Sequence, residues 1–96
     1  TGHVVVIGDV NTGAEIIAGG DVVVWGRLRG LAHAGCRGDN QAVVCALEFT
    51  PQQVRISSFV RRSEDEHAGL PSGPLVARIA DSAIVIESWD QARRKA

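Results

Sequence analysis

The chain has 96 residues, 45% hydrophobic and 22% charged, with a formal net charge of −1. That composition fits one small domain and is too apolar for a disordered chain. It lacks the basic excess that nucleic acid as main partner demands, and no stretch approaches the ~20 apolar residues of a membrane-spanning helix. The chain opens at Thr1 rather than an initiator Met and enters a strand-like run at His3, which reads as a domain within a longer protein. Apolar residues come in short β-branched runs closed by glycine: Val4–Ile7 before Gly8, Ile16–Ala18 before Gly19, Val22–Trp25 before Gly26, then Ala42–Cys45. Branching at Cβ suits a pleated surface, and glycine permits the corners between runs, so an all-β fold is predicted and a helical bundle is excluded. Gln53–Ser57, Leu75–Ile79 and Ala83–Ser88 are predicted as further strands. Arg61–Gly73 is charged and turn-rich and reads as an exposed loop. The polar tail 90–96 reads as a frayed helical turn or disorder, leaving residues 1–89 as the domain.

A repeat emerges when the chain is laid on itself with a shift of 18 residues. Eight of the twenty pairs from Gly2/Gly20 to Asp21/Asp39 are identical, among them Val4/Val22, Gly8/Gly26, Ala14/Ala32 and Gly20/Gly38. Ala42–Glu48 starts a third, drifted copy. Such a period divides into three sides of about six residues, the geometry of a three-sided β-helix. About four coils would use the chain, and the 4% aromatic content suits a narrow core of Val, Ile and Ala. The competing fold is a small open β-sandwich.

Little in the sequence points to catalysis. His3, His33 and His67 are scattered, and no CxxC or HxxxH spacing offers a metal site. Cys36 and Cys45 are expected to be reduced, packed thiols. Gly8 to Gly13 links two strands rather than a strand and a helix, so it is not a phosphate cradle. The run Trp25-Gly26-Arg27-Leu28-Arg29-Gly30 stands out, because Trp and Arg dominate binding hot spots. The competing reading puts Trp25 in the core and leaves both arginines solvated.

The stretch Gly8–Asp21, with Gly13-Ala14-Glu15 at its centre, followed by Val24–Gly30 and Ala32–Gly35, resembles the C-terminal domain of the MinC family, septum-site-determining cell-division inhibitors of bacteria. The likeness continues through Gly38-Asp39, Ala42–Leu47, Val54–Ile56, Ala77–Ile79 and Ile84–Glu87. It implies a short right-handed β-helix that forms a homodimer through one side and is not an enzyme. It implies binding to ATP-bound, membrane-associated MinD and, with MinD, engagement of FtsZ to block the division ring away from mid-cell. The protein would be cytoplasmic and recruited to the inner face of the cell membrane only through MinD. No cofactor, metal or nucleic acid is implied. Gly13 and Glu15 occupy positions on the family's MinD-facing side. The family's R-S-G-Q motif, absent here, would precede Thr1. Arg27 and Arg29 join the candidate partner site by chemistry and proximity. Two other classes compete: a hexapeptide-type β-helix acyltransferase with His33 as base, and a polymerising scaffold of the bactofilin type. Acetyl-transfer assay of a His33→Ala variant tests the first, and sedimentation the second.

Overall fold

Each glycine-closed apolar run becomes a strand. The computed structural model describes residues 2–62 and 70–94. In chain order the elements are β1 (Val4–Ile7), β2 (Glu15–Ile17), β3 (Val22–Leu28), β4 (Leu31–Ala34), β5 (Val44–Phe49), β6 (Gln53–Ile56), β7 (Phe59–Arg62), β8 (Leu75–Ala80), β9 (Ala83–Ser88) and α1 (Trp89–Arg94). They build a five-stranded sheet, β1-β3-β5-β8-β9, and a four-stranded sheet, β2-β4-β6-β7.

Parallel pairing follows the sequence repeat. Val4 to Ile7 lie opposite Val22 to Trp25, the spacing of 18 that the identities give. The isolated bridge Val10–Leu28 keeps the same spacing. On the second sheet Ile16, not Ala14, lies opposite Ala32, because the second pass turns the corner from Leu28 to Leu31 in fewer residues than the first. The next step is longer: Val22 pairs with Val44 and Ala32 with Val54. The turn after Gly35 absorbs the added residues, with Gly38 at φ 104° and the Asp39 carboxylate capping the Gln41 N–H at 2.9 Å. Gly38-Asp39 therefore does not stack on Gly20-Asp21; the Asp21 carboxylate accepts the Val43 N–H at 2.9 Å instead.

Among the described residues no further parallel strand follows β6. Ser57 adopts φ 56° and a two-residue turn sends β7 back antiparallel along β6. β8 runs antiparallel to β5, and β9 to β8. An antiparallel return needs only a short turn, whereas another parallel pass needs a full circuit. Arg61 and Arg62, expected in a loop, are the end of β7, and the Arg61 guanidinium donates to the Ile84 carbonyl at 3.0 Å, tying β7 to β9. Residues 63–69 of the expected loop, His67 among them, and 95–96 of the tail lie outside the described residues. Residues 89–94 form α1, begun by the Ser88 hydroxyl accepting the Gln91 N–H at 3.2 Å.

Alternate side chains of both sheets meet in one core. Val22, Val24, Leu28, Val44, Val54 and Ile56 are its largest fully buried members, with Ala32, Ala34 and Ala42 between them. Each of the Val, Leu and Ile side chains contributes roughly 1.5–3 kcal/mol by leaving water. Among the described residues Phe49 is the one fully buried aromatic, with Phe59 partly buried against the core, as a narrow interior requires.

Candidate functional site

One corner gathers three of the four candidate residues. The loop Asn11–Ala14 leaves the first pass and lies over Arg29-Gly30 of the second, the Gly30 N–H donating to Val10 O at 3.2 Å and the Leu31 N–H to Ala14 O at 2.9 Å. Gly30 must be glycine: a Cβ there would collide with the carbonyl oxygens of Ala14 and Asn11. Gly13 sits at the apex with φ 89°, its N–H donating to Gln52 Oε1 of the third pass at 3.1 Å. Nothing lies within 4 Å of a Cβ built there, so the apex is open to a partner. Glu15 is exposed and Arg29 half-buried, the Arg29 N–H donating to Val10 O at 2.8 Å.

Arg27 stands apart. It projects from the second half of β3 and is held by Glu48 on β5, Nε to carboxylate 2.9 Å. Its backbone N–H donates to the Asp9 carboxylate at 2.9 Å. Both charged side chains are about half exposed, so the pair adds little stability, but it fixes where the guanidinium points. His33 is half-buried on β4, and its Nε2 donates to Ser57 O at 3.1 Å. Among the described residues no three His, Cys, Asp or Glu side chains converge as metal ligands.

A second feature faces outward from the five-stranded sheet. Trp25 is 62% exposed, not a core residue, and Ile7 on β1 is 85% exposed. The same face carries Val5, Val23, Cys45, Leu47 and Val76, ending at Trp89, which is 52% exposed. Between Trp25 and Trp89 lies a hollow of about 310 Å³, with Leu47, Pro74 and Cys45 in its lining. Cys36 and Cys45 are free thiols. Burial, helped by the Asp21 charge, pushes the Cys45 thiol up to about 11.

The family described as "Septum formation inhibitor MinC, C-terminal domain" matches residues 1–89. This chain belongs to that family. Among curated relatives, the probable septum site-determining protein MinC of Heliobacterium modesticaldum is 48% identical over 88 residues, covering 92% of this chain and 30% of the relative. That of Gloeobacter violaceus is 52% identical over 85 residues, covering 88% and 30%. The chain thus spans about a third of the length of these relatives. A solved chain of the MinC:MinD cell division protein complex of Aquifex aeolicus superposes with a TM-score of 0.84 at 38% identity, covering 98% of this chain and 76% of that one.

In this MinC C-terminal domain, then, Gly13, Glu15 and Arg29 share a corner and Arg27 occupies the flanking side. Sequence reasoning missed Ile7, Leu47 and Trp89 as surface residues. Once Trp25 is known to point outward, the 18-residue register places Ile7 beside it on the same face, which is the signal that was available.

Proposed function

We propose that the chain is the dimerising, MinD-binding module of a bacterial division inhibitor, acting with MinD on FtsZ to keep the septum at mid-cell. The observation that carries this reading is the match of nearly the whole chain to a chain of a MinC:MinD complex. Residues 1–89 form the domain and 90–96 a polar extension. The parallel stacking at spacings of 18 and 22, with Val10 and Leu28 supplying a third side, supports a right-handed three-sided β-helix of three coils closed by the antiparallel strands. MinD contacts the corner of Gly13, Glu15 and Arg29, with Arg27 at its edge. The outward apolar face of the five-stranded sheet forms the homodimer, since so much exposed Val, Ile and Trp on one face marks an interface. The module works by binding and not by catalysis and uses no cofactor. It is cytoplasmic and reaches the inner membrane face through MinD; among the described residues no helix is long and apolar enough to cross a membrane.

Capture of the longer parent protein by immobilised MinD tests the reading. Retention with ATP and release with ADP are expected. Absence of retention with either nucleotide would overturn it.

A further inference from the structure

The open apex at Gly13 is the middle of a β-turn. Asn11 to Ala14 form it, the Ala14 N–H donating to Asn11 O at 2.9 Å. Gly13 is its third residue with φ 89°, and Thr12, the second, keeps a negative φ, which makes the turn type II. Types I and II differ by a half-rotation of the peptide between those two residues, here Thr12–Gly13. Glycine adopts the negative φ of type I as readily as the positive φ of type II, so nothing within the turn settles which way this peptide faces. The bonds to the second pass, Gly30 N–H to Val10 O and Leu31 N–H to Ala14 O, hold the flanks of the turn and not its middle.

Gln52 of the third pass holds the middle. Its own N–H donates to Gly30 O at 2.9 Å, which seats it at the corner just before β6. From there the side chain reaches the first pass, where Oε1 accepts the Gly13 N–H at 3.1 Å. The Thr12–Gly13 peptide is trans, so the Thr12 carbonyl turns the opposite way from Gln52. A partner meeting Gly13 meets backbone, because the residue has no side chain, and a peptide held one way presents a fixed pattern of donor and acceptor. Resting on the MinD reading, we propose that Gln52 is a positioning residue of the partner site: it holds the Thr12–Gly13 peptide in the orientation that MinD binds. A turn already held that way loses less freedom on binding, so the bond raises affinity without Gln52 touching the partner. Nothing in the spacing announces the pairing, since the two residues lie 39 apart in sequence.

Binding of the longer parent protein to immobilised, ATP-loaded MinD tests the inference, with a rescue. Gln52→Ala is expected to weaken binding about three- to tenfold, the effect of losing one hydrogen bond. Thr12→Pro supplies a second lock that does not involve the third pass: proline fixes φ at the second position, and Pro followed by Gly suits a type II turn. Added to Gln52→Ala, it is expected to restore binding to within about twofold of the parent, by restricting the turn in the free protein. In this chain, hydrogen exchange at the Gly13 amide is expected to quicken on Gln52→Ala. Gln52 and Thr12 are both exposed, so the variants are expected to fold, and thermal melts check that they do. Unchanged binding by the Gln52→Ala variant, unchanged exchange at Gly13, or a folded double variant that binds no better than Gln52→Ala alone overturns the positioning role and leaves the MinD reading standing. A parent protein that MinD does not retain overturns both.

Discussion

Gly13 shows what a residue can and cannot reveal by itself. Its place in Gly13-Ala14-Glu15 is visible in sequence, but its φ of 89° and the open space at its Cβ are not. These two facts shape the outcome of Gly13→Asp. The new side chain meets no neighbour, so the cost is backbone strain of about 1–2 kcal/mol. The same side chain projects from the apex and sets a carboxylate beside Glu15. The proposed MinD capture is therefore expected to fail while the variant still folds, its melt lowered by roughly 5–10 °C. Normal capture by the folded variant would remove Gly13 from the contact surface. Gly30→Ala is the contrasting case: its methyl meets backbone carbonyls, and loss of the fold is expected. Trp25 was undecidable from sequence for another reason. Val22, Val23, Val24 and Trp25 are all apolar, so alternation gives no face. Cys45 lies on the same outward face as Trp25, and its titration is a second expectation. With the thiol raised from an ordinary 9.0 to about 11, roughly one molecule in a thousand is thiolate at pH 8. Alkylation at Cys45 is expected to rise about tenfold per pH unit from pH 7 to 10. A plateau by pH 9 would contradict the shift. Because the folded value lies above the unfolded one, the stability Cys45 contributes is intact below pH 9 and is lost as pH rises through about 11.

At the scale of elements, the strands of the parallel stack were legible because each must repeat the inward residue types of the strand below it. Val4, Val22 and Val44 form one such column. Corners carry no such constraint, so the spacings of 16 on the second sheet and 22 at the third pass left no trace in the identities. Both strands of the closing hairpin were legible, but the turn that pairs them was not, for a local reason. Asp81 and Ser82 both have positive φ, 52° and 62°, which joins β8 to β9 by a two-residue turn of type I′. That turn favours Asn-Gly, and Asp-Ser gives only a weak signal for it. The mismatch makes a prediction: the double change Asp81→Asn, Ser82→Gly is expected to stabilise the protein by about 0.5–1 kcal/mol, since both new residues accept the left-handed region more readily. Chemical denaturation measures it through a higher midpoint at unchanged slope. A lower midpoint would mean that the Asp81 or Ser82 side chain supports the turn in some other way.

The whole molecule is governed by one imbalance. A narrow core buries Val22, Val24, Val44 and their neighbours, yet Val5, Ile7, Trp25, Leu47 and Trp89 remain outside it. With a net charge of −1 and a pI near 6.2, there is little charge repulsion to keep such surfaces apart near neutral pH. If a second copy covers that face, as proposed, folding is linked to association, and the link is measurable. If the dimer is the folded species, the melting temperature rises with concentration by mass action. For two chains of this length, a hundredfold increase is expected to raise it by roughly 5–8 °C. Leu47→Asp places a carboxylate at the centre of the face, on the middle strand, where each copy would confront the other's charge. Leu47 is partly exposed, so the protomer folds without its side chain being needed in the core. The variant is expected to melt lower than the parent at high concentration and at a temperature that no longer depends on concentration. If the parent's own melting temperature is flat across that range, the exposed face is not what stabilises the folded chain, and the homodimer is no part of its folding equilibrium.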